Sequence, residues 1–187
     1  MARVPFADRN NMDSEGQAIW DEIDQSRGGV ARNYAALLNN PVAAKNFATL
    51  GGYARFETPL DPRVKALAIL TAAREACGHY VWTVNQRGAK AANISEDVIS
   101  AIREYRAPAG LNDQDANVVQ FVLEILRQHR VSNVTYQALE KQIGASAIID
   151  MMVVVSYYHG LAHCLQALDV ELPEGTSSDL TYKLDWV

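Results

Sequence analysis

Along this chain the apolar residues recur at spacings of three and four, with little alternation at period two, and breakers bracket each run. Asp13 precedes a stretch in which Ile19, Trp20 and Ile23 share a face, and Gly28-Gly29 closes it. Pro41 opens a second segment carrying Phe47, Leu50, Tyr53 and Ala54 as far as Thr58-Pro59. Asp61-Pro62 is a strong entry to a third, because the aspartate accepts from the first free amides while proline presets φ; Val64, Leu67, Ala68 and Leu70 follow as its buried stripe. Gly78 marks a break, after which a new helix is predicted to run to about Ala92. Ser95 caps a short helix through Val98, Ile99 and Ile102. Asn112 with Asp115 opens another bearing Val118, Val119, Val122, Ile125 and Leu126. Ser132 or Asn133 starts the next, closed by Gly144, and a final helix from Ala145 to Leu168 is apolar around most of its circumference. The pattern predicts an all-α fold with that last helix at the centre of a domain or of an oligomer.

Composition narrows the class. A chain of 187 residues is close to one ordinary domain, so residues 1–187 are read as a single unit able to bury its own core. With 49% hydrophobic and 21% charged residues it belongs with soluble globular proteins and not with disordered ones. A formal net charge of −5 offers no basic footprint, which argues against nucleic acid as partner. Two cysteines, Cys77 and Cys164, are too few for a disulfide framework and too far apart for a CxxC pair, so a reducing compartment is expected. The opening residues lack the apolar core of a signal peptide. The stretch from Ala145 to Leu168 carries Asp150, His159, His163 and Gln166 and reads as a core helix, not a membrane span. The expectation is a cytoplasmic protein without a membrane partner.

Candidate chemistry is densest from Glu75 to Asn85, which holds Glu75, Cys77, His79, Tyr80, Trp82 and Asn85. A carboxylate at the end of one helix, placed by a break beside the first turn of the next, can orient or deprotonate a bound group. The same carboxylate can equally serve an ion pair with Arg74 or Arg87. His159 and His163 lie four residues apart on the last helix and so stack on one face; they can bind a metal or sit as ordinary buried imidazoles, with Tyr157 and Tyr158 as core or interface aromatics. No HExxH pattern is present, and the reading assigns no metal and no cofactor. Cys77, at a helix start near His79, has the setting of a reactive thiol and also of a small core residue.

Several stretches resemble the carboxymuconolactone decarboxylase family, within the AhpD-like superfamily. They include Arg3-Val4-Pro5, Arg27-Gly28-Gly29, the stretch from Leu37 through Pro41 to Phe47, Gly51-Gly52-Tyr53-Ala54-Arg55-Phe56 and Leu60-Asp61-Pro62-Arg63. They continue in the run from Leu67 to Glu75, the pair Tyr80-x-Trp82, the run from Ser95 to Ile99, Tyr157-Tyr158 and the run from Leu165 to Gly175. The resemblance implies an AhpD-like helical domain of about seven or eight helices, assembled as a homo-oligomer, commonly a trimer or hexamer. It also implies a site on the helix after the break, where family decarboxylases read Cys-x-Tyr-Glu-Trp-x-x-His and the peroxidases Cys-x-x-Cys-x-x-x-His. Here Gly78, Val81 and Asn85 fill those positions, while an upstream Glu75 remains.

Valine has no proton to exchange and asparagine cannot act as acid or base near neutral pH, so two-cysteine peroxidase turnover is not expected. The leading expectation is a cofactor-independent lyase, decarboxylase or isomerase acting on a small oxygenated or aromatic carboxylic acid. Glu75, His79, His159 and His163 are its candidate catalytic residues. Arg55, Arg74, Cys77, Tyr80, Trp82, Asn85 and Tyr157 are candidate substrate contacts, with Arg87 a further cation for the acid. The alternatives are a non-catalytic helical ligand-binding or assembly protein and a metal-dependent hydratase or lyase using His159 and His163.

Overall fold

A computed structural model describes residues 2–107 and 109–181. Among these residues there are eight α-helices and no strand: α1 (Ser14–Arg27), α2 (Arg32–Leu37), α3 (Pro41–Gly52), α4 (Pro62–Glu75), α5 (His79–Ala91), α6 (Glu96–Arg103), α7 (Asp113–Gln128) and α8 (Asn133–Ala167). A π-helical turn, Tyr53–Glu57, follows α3 directly.

The caps fall where the sequence puts them. Asp13, Asp61, Ser95, Asn112 and Ser132 each accept from an amide in the first turn that follows. Asn40 does the same ahead of Pro41. As the sequence predicts, the chain breaks at Gly144 (φ 80°, ψ 159°), so α8 consists of two helical segments that meet at a kink there. The short α2 was not expected, having no side-chain cap and no long apolar stripe.

Four helix ends share one closure. After α4, Gly78 N–H donates to Ala73 C=O (2.8 Å) and Cys77 N–H to Arg74 C=O (3.0 Å), the Schellman pair of bonds. The same pattern ends α5 at Asn93, α6 at Tyr105 and α8 at Asp169, and all four residues have positive φ without being glycine. At the α4 end the glycine stands one position later for a different reason: a Cβ on Gly78 would lie 2.5 Å from Ala162 Cβ, so only glycine lets the start of α5 approach α8 this closely.

Helix α4 lies at the centre, packed on α5, α7 and α8, with Leu67, Ala68, Leu70, Ala72 and Ala73 fully buried. A smaller apolar cluster, Ile19, Ile23, Tyr34, Leu38, Ala44 and Ala48, joins α1, α2 and α3. Helix α8 is long and apolar enough to cross a membrane, and more than half of its most apolar stretch is buried against the other helices.

Beyond α8 the chain runs as a strap over α5 and α6. Asp179 accepts from Trp82 Nε1 (2.7 Å), Gln86 (2.8 Å) and Arg103, and Leu180 inserts into the main core. Arg32 holds the strap at Leu172 and Glu174, while Ala2 N–H donates to Glu171. The tip Leu184-Asp185-Trp186-Val187, which the sequence predicts to pack on a neighbour because it is too apolar for a free tail, lies outside the described residues.

Candidate active site

The first turns of α5 and the middle of α8 form two walls of a cavity of about 260 Å³, completed by α2, the end of α3, the π-turn and Pro173 of the strap. Its polar lining is Arg27, Asn33, Tyr34, Arg55, Tyr80, Asn85, Tyr157 and Tyr158; no carboxylate, imidazole or thiol is among the lining residues. The volume falls just below the ~300 Å³ at which pockets for drug-sized ligands begin, which suits a single-ring molecule.

The phenols are fixed by packing. Tyr34 and Tyr157 share a hydrogen bond of 2.9 Å between their hydroxyls. Tyr157 reaches this position because Gly51 has no side chain: a Cβ there would sit 2.5 Å from Tyr157 Cζ and 2.8 Å from Cε2. Tyr80 donates weakly to Asn33 (3.5 Å), and Asn85 gives its amide nitrogen to Val81 C=O (2.7 Å), leaving its oxygen as a further acceptor.

Burial raises the Tyr80, Tyr157 and Tyr158 phenols. Tyr158 is pushed up to about 12 by desolvation, against the pull of Arg55 and Arg27. Desolvation raises Tyr157 further, helped by Tyr34, and raises Tyr80 against Asn33, Arg32 and Arg55. These side chains stay protonated at neutral pH and present hydroxyl donors. Arg27 lies over the Tyr34 ring at 4.7 Å, tied to Ala48 C=O and Ser26. Arg55, on the π-turn, is exposed at the rim, and such turns are frequent at functional sites. Tyr53 anchors that turn by donating to the buried Asp150 of α8. An adjoining groove of about 420 Å³ shares Arg55, Val84, Asn85 and Tyr158 with the cavity and adds Lys65 and Arg87, again without a carboxylate.

The structure therefore separates the residues singled out in the sequence. Arg55, Tyr80, Asn85 and Tyr157 line the cavity. Trp82 does not: it is fully buried, with its indole N–H bound to Asp179. Arg74 is buried at the end of α4, donating to Thr181 C=O (3.0 Å), and Cys77 lies beside it. Neither Glu75 nor His79, His159 or His163 is among the residues that line this cavity. Both carboxylate oxygens of Glu75 are taken by Arg127 (2.7 and 2.6 Å), a partner from α7 in place of the expected Arg74 or Arg87. His79 lines a separate recess of about 200 Å³ with Gly78, Tyr80, Ala162, Gln166 and Asp169.

His159 and His163 meet edge to face at 4.4 Å, and among the described residues no cluster of three or more His, Cys, Asp or Glu side chains is placed to hold a metal. Burial, then His163, lowers the His159 pKa, while Glu75 pulls it upward.

Arg27, Asn33, Tyr34 and Pro173 were missed as site residues, and Tyr158 was read only as a core or interface aromatic. The available signal was Gly51-Gly52 inside a helical run, since glycine at such a place marks a close approach by another group.

The helix arrangement defines an AhpD-like fold. Three solved structures show it: an Agrobacterium tumefaciens protein of unknown function described as a candidate antioxidant defence protein, AhpD, matches with a TM-score of 0.64 at 13% identity, over 72% of this chain and 93% of that one. The debrominase Bmp8 in its apo form matches with a TM-score of 0.68 at 13% identity, over 86% and 87% of the two chains. A cysteine-to-alanine variant of Bmp8 in complex with 2,3,4-tribromopyrrole gives 0.72 at 12% identity, over 93% and 92%. At such identities the likeness establishes the fold alone, and it does not single out the carboxymuconolactone decarboxylases within it. No family model and no curated protein matches the sequence.

Proposed function

We propose that the chain is a cofactor-independent lyase, of the decarboxylase or isomerase type, acting on a small oxygenated aromatic carboxylate in the cavity between α5 and α8. The observation that carries this reading is the lining itself: two guanidiniums and four phenols with no acidic residue, in a protein whose net charge is −5. Such a site attracts an anion and offers it donors while repelling nothing. The sequence resemblance to carboxymuconolactone decarboxylases supports the same reaction class.

Arg27 and Arg55 hold the carboxylate, and Asn85 orients a ring oxygen. As the carboxylate leaves as carbon dioxide, the electron pair of the breaking bond passes into the adjacent oxygenated π-system. Tyr80 donates its hydroxyl proton to the carbon and regains one from water, a role open to a phenol that burial keeps protonated. This reading moves proton transfer from His79, His159 and His163 to a phenol, because none of the histidines lines the cavity. Exposed Leu50, Phe56 and Val84 near the rim support the proposal of a homo-oligomer, which light scattering tests.

Thermal stabilisation by hydroxybenzoic acids, compared with their neutral amides, tests the binding step. The acids are expected to raise Tm, the amides not, and Arg55→Gln to abolish the effect; equal stabilisation by amide and acid sinks the proposal. Release of labelled carbon dioxide from a binding acid then tests the chemistry. Binding without turnover favours the non-catalytic alternative, to which the lack of imidazole, thiol or carboxylate in the lining gives weight.

A further inference from the structure

Across the surface of this chain cations are paired with acids: Arg9, Arg32, Lys45, Arg63, Lys90, Arg103 and Arg127 each meet a carboxylate at 2.5 to 2.9 Å. Among the described residues Arg55, Lys65 and Arg87 form no such pair, and all three line the groove of about 420 Å³ beside the cavity. Lys65 Nζ donates to Arg55 C=O (3.1 Å), and the Arg55 guanidinium lies over the Phe56 ring at 5.2 Å. Arg87 is exposed. Most of the remaining lining is apolar, with Pro62, Ala66, Ile69, Val84 and Ala89 contributing. Gly88 adds no side chain, and a Cβ there would meet nothing within 4 Å, so the space in front of it is open.

Like charges gathered around one hollow repel one another, and a bound anion relieves that repulsion. A carboxylate brings one charge and two oxygens. A phosphate monoester brings nearly two charges and three acceptor oxygens. It is the closer match to two guanidiniums, an ammonium and the Tyr158 hydroxyl, which burial keeps protonated. A bare inorganic ion would leave the apolar lining uncovered, so the groove suits a phosphate carried on a hydrocarbon arm.

We propose that the groove is a second subsite, which takes the phosphate and hydrocarbon arm of an organic phosphate, and that the ligand of this protein is an aromatic acid extended by such an arm. The extended ligand rests on the reading of the cavity given above; the subsite itself does not. Arg55 lines both hollows and stands at the junction of the two anions. The competing occupant is an acidic segment of a second copy, since Val84 is exposed. Continuity with the cavity through Arg55, Val84, Asn85 and Tyr158 favours the small ligand.

The test is titration calorimetry of the full chain with hexyl phosphate, hexanoate and 4-hydroxybenzoate. Hexyl phosphate is expected to bind more tightly than hexanoate. Arg87→Gln should weaken hexyl phosphate about fivefold and leave 4-hydroxybenzoate within about twofold, and Arg27→Gln should do the reverse. Arg87 makes no hydrogen bond among the described residues, so its variant should fold, and a thermal melt checks this. Absent binding of hexyl phosphate, equal binding of hexanoate, or indifference of hexyl phosphate to Arg87→Gln overturns the subsite, whatever 4-hydroxybenzoate does. Failure of 4-hydroxybenzoate alone sinks the cavity reading, and the extended ligand with it, while the subsite stands. If hexyl phosphate does not bind and Arg87→Gln splits an oligomer in light scattering, the groove is an interface between copies. A series of 4-(ω-phosphonooxyalkoxy)benzoates with arms of increasing length then joins the two halves. At least one member should bind about tenfold more tightly than 4-hydroxybenzoate and respond to both variants. A series that never exceeds the acid alone overturns the extended ligand.

Discussion

Replacing Gly51 with alanine tests the cavity wall at its tightest point. The added Cβ would meet Tyr157 Cζ at 2.5 Å, against ordinary contact at 3.4 Å or more, and the hydroxyl lies closer still. Tyr157 is 4% exposed and wedged beside Phe47 and Tyr158, so the ring has little room to yield. Overpacking of this kind costs about 1–3 kcal/mol. Loss of the Tyr34–Tyr157 bond adds about 0.5–1.5 kcal/mol. Alanine in mid-helix returns about 0.8–1 kcal/mol. The net expectation is a loss of about 2 kcal/mol, or a fall in Tm of roughly 4–8 °C for a chain of this size. Gly88→Ala is the matched control, since a Cβ there meets nothing within 4 Å and should stabilise α5 by about 0.5–1 kcal/mol. Removing the hydroxyl in a Gly51→Ala, Tyr157→Phe double variant should recover part of the loss, giving a coupling of about 1 kcal/mol in a double-mutant cycle. Urea unfolding of the wild type, Gly51→Ala, Tyr157→Phe, their double variant and Gly88→Ala decides the matter. If Gly51→Ala is as stable as Gly88→Ala, the cavity wall is not packed as described.

Three further outcomes follow from the same geometry. Glu75→Gln should lower stability by about 1 kcal/mol, because Arg127 is half exposed and can turn to water, while leaving binding of an aromatic acid within about twofold; a tenfold loss of binding would put Glu75 back in the site. Asp179→Ala should cost about 2 kcal/mol by leaving the buried Trp82 indole N–H without its acceptor, and a red-shifted tryptophan emission is the readout. Stability should fall with acid in two stages: burial, then Arg74 or His163, holds His79 and His159 below the usual 6.5, so both imidazoles take up protons more readily when unfolded, and stability intact above that value declines beneath it. The second stage begins below 4.5, where Glu124, held at about 2 by hydrogen bonds from Gln120, Ser132 and Thr135, loses its advantage. His159→Gln should reduce the first stage to the His79 part and leave the second unchanged; unfolding midpoints at about pH 7, 5.5 and 3.5 check this.

Helix entry points were legible because the physics of a cap is local: Asp13, Asp61, Ser95, Asn112 and Ser132 act on amides two or three residues away. The break at Gly78 was legible for a similar reason, although its cause, contact with Ala162, is not local. The candidate site was harder to read. A dense polar run from Glu75 to Asn85 looks like one centre, but successive helical positions point in different directions. Tyr80 and Asn85 face the cavity, Trp82 faces the strap, and Glu75 faces α7. Arg27, Tyr34 and Pro173 entered the wall from segments whose pairing depends on how α1 to α3 and the strap fold back onto α8, which no short-range spacing encodes.

Pro173 lies in a wall whose other members come from positions 27 to 161, and Asp179 pins the stretch that carries it. During synthesis the helices can therefore collapse together well before the hollow between them is closed. Proteolytic trimming just past α8 would leave a helical body with one side of its binding chamber open to water, so ligand uptake should report on an intact carboxy-terminal region more sensitively than circular dichroism does.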